Sequence, residues 1–134
     1  MPIQITFIGL CRPTINGVGV WGYMIFNNDV VIHQAAAVAG TGMNAYASNL
    51  LGLREACRWL HTQNLPGDVI LAGNNETVLR QVRGKWKLKV PRAKQVVPEI
   101  QHLLQGRQVS AGLLTPAQIK AVRALAKAQY RHSP

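Results

Sequence analysis

Acids are scarce in this chain. Only Asp29, Glu55, Asp68, Glu76 and Glu99 occur in 134 residues, against fifteen Lys and Arg, so the formal net charge is +10. A balance so far to one side points to a polyanionic partner, most often nucleic acid. Cysteine is nearly absent too. Cys11 and Cys57 are too few for a disulfide framework and lack the CxxC spacing of a zinc site, so two reduced thiols in a cytoplasmic protein are expected. No apolar run approaches the ~20 residues that span a bilayer, which excludes a membrane helix and leaves no membrane partner expected. The first ten residues carry no charged segment ahead of an apolar one, which argues against a secretory signal.

What is present is one domain's worth of chain, read as a single domain over 1–134, with 48% hydrophobic residues and no low-complexity tract. The cations are not spread evenly. Arg80, Arg83, Lys85, Lys87, Lys89, Arg92 and Lys94 fall within fifteen residues that hold no acid. That is a patch and not a mixed solvated face.

Periodicity gives the elements. Ile3, Ile5 and Phe7 alternate with Gln4 and Thr6, predicting a strand over 2–11. A turn at "RPTING" leads to a second strand over 18–26, and "NND" closes a hairpin onto a third strand over 30–38. Gly40 to Gly42 is expected to break the chain. Met43, Tyr46, Leu50, Leu53, Cys57 and Leu60 follow at helical spacing, predicting a helix over 43–62. "VILA" reads as a buried strand, 75–82 as a short helix, and 92–105 as another with Pro98 near its start. "QVSAGLL" reads as a fifth strand. Thr115 and Pro116 suit the cap and first position of a last helix, with Ile119, Val122, Leu125 and Ala126 inward and Lys120, Arg123, Lys127 and Arg131 outward. The order predicts an α/β fold: a mixed five-stranded sheet, an antiparallel three-strand meander plus parallel strands, with helices on both faces.

This order, with "GVGVWGYMI", "AYASNLLGLREAC" and "VILAGNNETVLRQVRGKWKLK", resembles the ribonuclease H family, which cuts the RNA strand of an RNA–DNA hybrid. The likeness covers almost the whole chain. It implies a site where four carboxylates hold two metal ions that activate water and stabilise the leaving oxygen. Here those positions fall on Ile8, Ala45, Asn74 and Arg123. Hard dications require hard, preferably anionic oxygens. The reading of the sequence is therefore a protein that is no enzyme, with no catalytic residue, no metal and no cofactor.

What the resemblance leaves is a surface. It implies contacts to 2′-hydroxyls from Arg12, Thr14, Asn16 and Gly17, and to backbone from Thr41 and Asn44. Asn74 and Asn75 would bond without negative charge. Trp86 would lie along the DNA sugars, Lys85, Lys87, Lys89, Arg92 and Lys94 would grip that strand, and Arg123 would meet a phosphate. The expected function is non-catalytic binding of RNA–DNA hybrid or double-stranded RNA through a basic groove with little sequence specificity. A residual or rearranged metal-dependent nuclease and a homodimeric assembly module stand as alternatives. His33, His61, His102 and His132 are scattered without i,i+4 pairing, and "NGVGVWG" opens no helix, so neither marks a catalytic or nucleotide site.

Overall fold

A computed structural model describes residues 2–85, 87–112 and 114–132. The chain runs β1 (Ile3–Arg12), β2 (Ile15–Asn27), β3 (Val30–Asn44), α1 (Ala45–Gln63), β4 (Val69–Gly73), α2 (Glu76–Val82), α3 (Pro91–Leu103), β5 (Val109–Gly112) and α4 (Pro116–Ala128), with a 3-10 turn over Gln129–His132. The sheet order is β3-β2-β1-β4-β5. β1, β2 and β3 pair antiparallel, whereas β4 pairs parallel with both β1 and β5. The mixed five-stranded α/β sheet expected from the sequence is present.

The alternation in β1 sorts residues to two faces. Ile3, Ile5 and Phe7 join the main core with Leu50, Leu53, Cys57 and Leu60 of α1, Leu71 of β4, and Val96, Val97 and Ile100 of α3. Ile8 points the other way, into a smaller cluster with Val20, Val122 and Ala126 beneath α4. Helices thus cover both faces. α4 approaches closely because Gly22 lies under it: a Cβ there would stand 3.1 Å from the backbone nitrogen of Ala126 and the carbonyl oxygen of Val122. Val122 and Ala126 are fully buried, while Ile119 and Leu125 are half-buried.

The β2–β3 turn is the tight one predicted. Asn28 and Asp29 take φ of 53° and 62°, the left-handed pair of a two-residue hairpin. Three expectations need correction. β3 does not stop at Val38 but runs on to Asn44, and β2 begins at Ile15, which pairs with Asn44. Gly40 and Gly42, at φ of 147° and 63°, bend the strand without ending it, and the register shifts near Gly17 and Gly19 take up the bend. Pro98 sits well inside α3 rather than near its start. It is exposed, so the helix carbonyl that loses a partner there faces water, which limits the cost.

Candidate nucleic-acid interface

Strand direction decides what meets at one end of the sheet. β1, β4 and β5 are parallel and end toward the same end of the sheet, Gly73 beside Phe7 and Gly112 beside Ala72, while β1 runs on five residues further to Arg12, and the antiparallel meander brings the start of β2 and the end of β3 to that end. The β1–β2 turn, residues 41–44, the first turn of α1 and the Gly73–Asn74 turn therefore lie along one rim. Ile8 comes one residue past the Phe7–Gly73 pair. α1 crosses β1 at Gly9, where a Cβ would run into the backbone of Ser48 and Asn49. The Asn49 amide, almost wholly buried, holds that crossing by donating to the carbonyl of Ala45 at 2.9 Å and weakly to that of Gly9 at 3.4 Å.

The four positions the resemblance assigns to metal ligands can be tested against this frame. Ile8 is fully buried under α4 and offers only carbon. Ala45 is an exposed methyl at the head of α1. Asn74 is an exposed carboxamide and Arg123 an exposed guanidinium. One neutral oxygen and a cation do not fit a pair of dications. Among the described residues no three His, Cys, Asp or Glu gather in a way that could hold a metal.

The basic patch builds a groove instead. A cleft of about 620 Å³ is lined by Tyr46 of α1, Thr77 and Gln81 of α2, and Lys85, Lys87, Lys89 and Val90 from the segment before α3. All three lysines are exposed. Tyr46 Oη donates to Gln81 Oε1 at 2.5 Å, joining the two helices across the floor. Burial pushes the Tyr46 phenol upward in pKa, only partly offset by that hydrogen bond, so it remains a neutral donor. A second cleft of about 600 Å³ lies on the other side of α2, lined among others by Gly73, Asn74, Glu76, Arg80, Arg83 and Lys85. Lys85 belongs to both, which makes them neighbours along α2.

The structure brings together some of the sequence-predicted residues and separates others. Lys85, Lys87 and Lys89 share the first groove, and Asn74 joins Lys85 in the second. Arg92 and Lys94 are exposed on α3, outside both sets of lining residues. Thr14 and Asn16 are exposed at the rim, with Asn16 at φ 55°. Gly17 is buried instead, closed off by the backbone of Arg12 and Pro13, so it presents no surface. Arg12 lies 4.5 Å above the ring of Tyr130, on the α4 side. Thr41 is exposed. Asn44 and Asn75 are helix caps: their side-chain oxygens accept from Ala47 N at 2.8 Å and Val78 N at 3.1 Å. Arg123 stands on α4, beside Val122 of the small core. Trp86 lies outside the described residues.

Tyr46, Thr77, Gln81 and Val90 are the groove residues that sequence reading missed. Tyr46 fits the apolar stripe of α1 by spacing, and nothing in the sequence couples it to Gln81 thirty-five residues on.

No protein-family model matches the sequence, and no curated protein matches it. Solved structures do. Ribonuclease H1 from the halophilic archaeon Halobacterium salinarum NRC-1 superimposes with a TM-score of 0.84 at 18% identity, covering 99% of this chain and 100% of that one. LC11 ribonuclease H1 in complex with an RNA/DNA hybrid gives 0.85 at 20%, covering 97% of each chain. The N-terminal RNase H domain of rv2228c from Mycobacterium tuberculosis gives 0.83 at 18%, covering 96% of this chain and 98% of that one. These matches correct the expectation of a protein that is no enzyme, because the folds matched are those of ribonuclease H1 enzymes. Over its whole length, the chain has the ribonuclease H-like fold.

Proposed function

We propose that this protein binds RNA–DNA hybrid or double-stranded RNA through the groove between α1, α2 and the 85–90 segment, with little sequence specificity. The observation that carries the reading is the groove's lining: three exposed lysines around Tyr46, Thr77 and Gln81, with no acid among them. Lysines there meet phosphates and release counterions, which supplies affinity without reading bases. Thr77 and Gln81 offer hydrogen bonds to sugar and phosphate oxygens. Thr14 and Asn16 stand at the rim, where the 2′-hydroxyls of a wide, shallow minor groove are within the reach of small polar groups. One matched fold is held in complex with an RNA/DNA hybrid, and that likeness favours a duplex of this shape.

The electrostatics give the reading a second consequence. Where Ile8, Ala45, Asn74 and Arg123 stand, no cluster of carboxylates repels an approaching phosphate, so binding needs no dication to neutralise the site. Competition among hybrid, double-stranded RNA, double-stranded DNA and single strands, at two salt concentrations with and without EDTA, is the test. The expected result is preference for the two A-form duplexes, steep loss with salt and no effect of chelator. Equal affinity for all four, or collapse in EDTA, would overturn it.

A cleavage reading stands beside this one, favoured by the ribonuclease H1 folds matched. Glu76 lines the cleft with Asn74 and is the carboxylate among that cleft's lining residues, where it pairs with Arg80. A hybrid-cleavage assay in magnesium or manganese, repeated with Glu76→Ala, tests that reading. Metal-dependent cutting lost in the variant supports it, and no cutting by either protein rejects it. Self-association is a further alternative. β3 is an edge strand with Val30, Val31 and Ile32 exposed, and sedimentation without nucleic acid decides it.

A further inference from the structure

Three of the five acids lie on the helices that cover one face of the sheet, and none lies on α4. Glu55, Glu76 and Glu99 lie on α1, α2 and α3, where they pair with Arg54, Arg58 and Arg80. Asp68 accepts from the backbone of Gln108 at 3.0 Å, and Asp29 sits in the β2–β3 turn. After Glu99 the sequence has no acid at all. α4 and the turn that follows it carry Lys120, Arg123, Lys127 and Arg131, all exposed, and none forms an ion pair among the described residues.

Beyond α4, Arg131 follows in the 3-10 turn, while Lys120, Arg123 and Lys127, spaced three and four residues apart, form one stripe about 10 Å long on the helix. It runs beside a second exposed set, Ala117, Ala121, Ala124 and Ala128. Val122 and Ala126 point the opposite way, onto Ile8 and Val20. The outward side of α4 is therefore flat, cationic and built from methyls between ammonium and guanidinium groups. It lies on the sheet face away from α1 and α2, which line the lysine groove.

We propose that this side of α4 is a second nucleic-acid contact, taking the sugar–phosphate backbone of one duplex segment while the lysine groove holds another. The residue types choose the partner. A helix that lies in a lipid interface needs large apolar side chains to bury, and a protein–protein contact needs aromatic or bulky anchors at its centre. The stripe has neither. Methyl-sized side chains let the helix backbone come close to a phosphate chain, and the four cations meet it with no acid to compete. The consequence is a chain that bridges two segments.

The experiment counts duplexes. Analytical ultracentrifugation with a short labelled hybrid in excess, at low salt, is expected to show two duplexes per protein chain. Lys120→Ala, Lys127→Ala, Arg131→Ala together are expected to hold one, with first-site affinity within twofold of the parent. Arg123 is left in place because it stands at the candidate site. Glutamine at the same three positions keeps the side-chain bulk, and a matched melting curve shows either variant to be folded. Saturation of the parent at one duplex, or two duplexes still held by the variants, would overturn the proposal. So would anionic vesicles binding to the parent, but not to the variants, while duplex stoichiometry stays at one. The count of two rests on the groove reading. Lys85→Ala, Lys87→Ala, Lys89→Ala separates the two failures: if only the groove reading is wrong, that variant still holds two duplexes while the α4 variants hold one.

Discussion

Replacing Lys85, Lys87 and Lys89 together with alanine probes the groove most directly. All three are exposed and line the same cleft, and none forms an ion pair among the described residues. Their removal takes charge away without breaking a structural contact. Each phosphate neutralised contributes a slope of about −0.9 to log K against log salt on duplex DNA, so three contacts account for about −2.7. If the variant and the parent converge near 1 M salt, the loss at 0.1 M is about 2.7 log units, roughly 500-fold. Fluorescence anisotropy with a labelled hybrid across a salt series reads slope and affinity at once. An unchanged slope refutes the reasoning whatever the affinity does, because it would mean that the lysines do not meet phosphates. A weaker complex with the parent's slope would assign them to shaping the cleft.

Three further outcomes follow from the frame around that cleft. Gly9→Ala would force a Cβ into the Ser48–Asn49 backbone, with Asn49 Cα only 2.8 Å away, and should lower stability by about 3 kcal/mol or more in urea unfolding. His33 is stacked on Trp59 at 4.2 Å and bonded to Tyr23 Oη at 3.0 Å, and burial lowers its pKa. Its contribution is full above the unfolded value near 6.5 and is lost as pH falls through the lower folded value. The urea midpoint should therefore drop on acidification from about pH 6.5, and His33→Phe should flatten that drop. Ile8→Asp restores the acid that the family resemblance expects, but places it in the closed cluster under α4. It should destabilise by about 3 kcal/mol or more near neutral pH, and less in acid, because burial raises a carboxyl's pKa and favours the protonated form. A stable, metal-binding variant would contradict the packing described.

Local signals carried further than long-range ones. Alternation placed Ile3, Ile5 and Phe7 on one face of β1, Asn28 and Asp29 marked the hairpin, and Thr115 with Pro116 marked the start of α4. Each depends on neighbours a few residues away. β3 was read too short because glycine's permissiveness looks the same at a strand's end as at a bend within it. Asn44 and Asn75 were read as groups for a ligand, yet each caps a helix, a contribution of about 1 kcal/mol. A short amide does either job, and only the backbone around it decides. The Tyr46–Gln81 bond and the placing of Arg12 over Tyr130 join residues far apart in sequence, so no periodicity announces them. The inference from four missing acids to a protein that is no enzyme had a different fault. It treated one ligand set as if it were the activity.

The way the scarce acids are spent explains why salt should govern this protein's binding. Every ion pair among the described residues uses arginine. Arg58 grips Glu99 through Nε and a terminal nitrogen at 2.6 and 2.9 Å, tying α1 to α3, and Arg80 pairs with Glu76 along α2. Arg107 spans the carbonyls of Leu65 and Gly67 with the same planar fork. Among the described residues no lysine is used in this way. Lys85, Lys87, Lys89, Lys94, Lys120 and Lys127 are all exposed, and an ammonium in water is a compact, strongly hydrated point charge with no preferred geometry. Arginine's directed bonds thus hold the helices to one another, and lysine's undirected charge is left for a partner. On the proposed reading, a surface made this way would attract phosphate without selecting a sequence, and screening by salt would weaken binding more than any change of base.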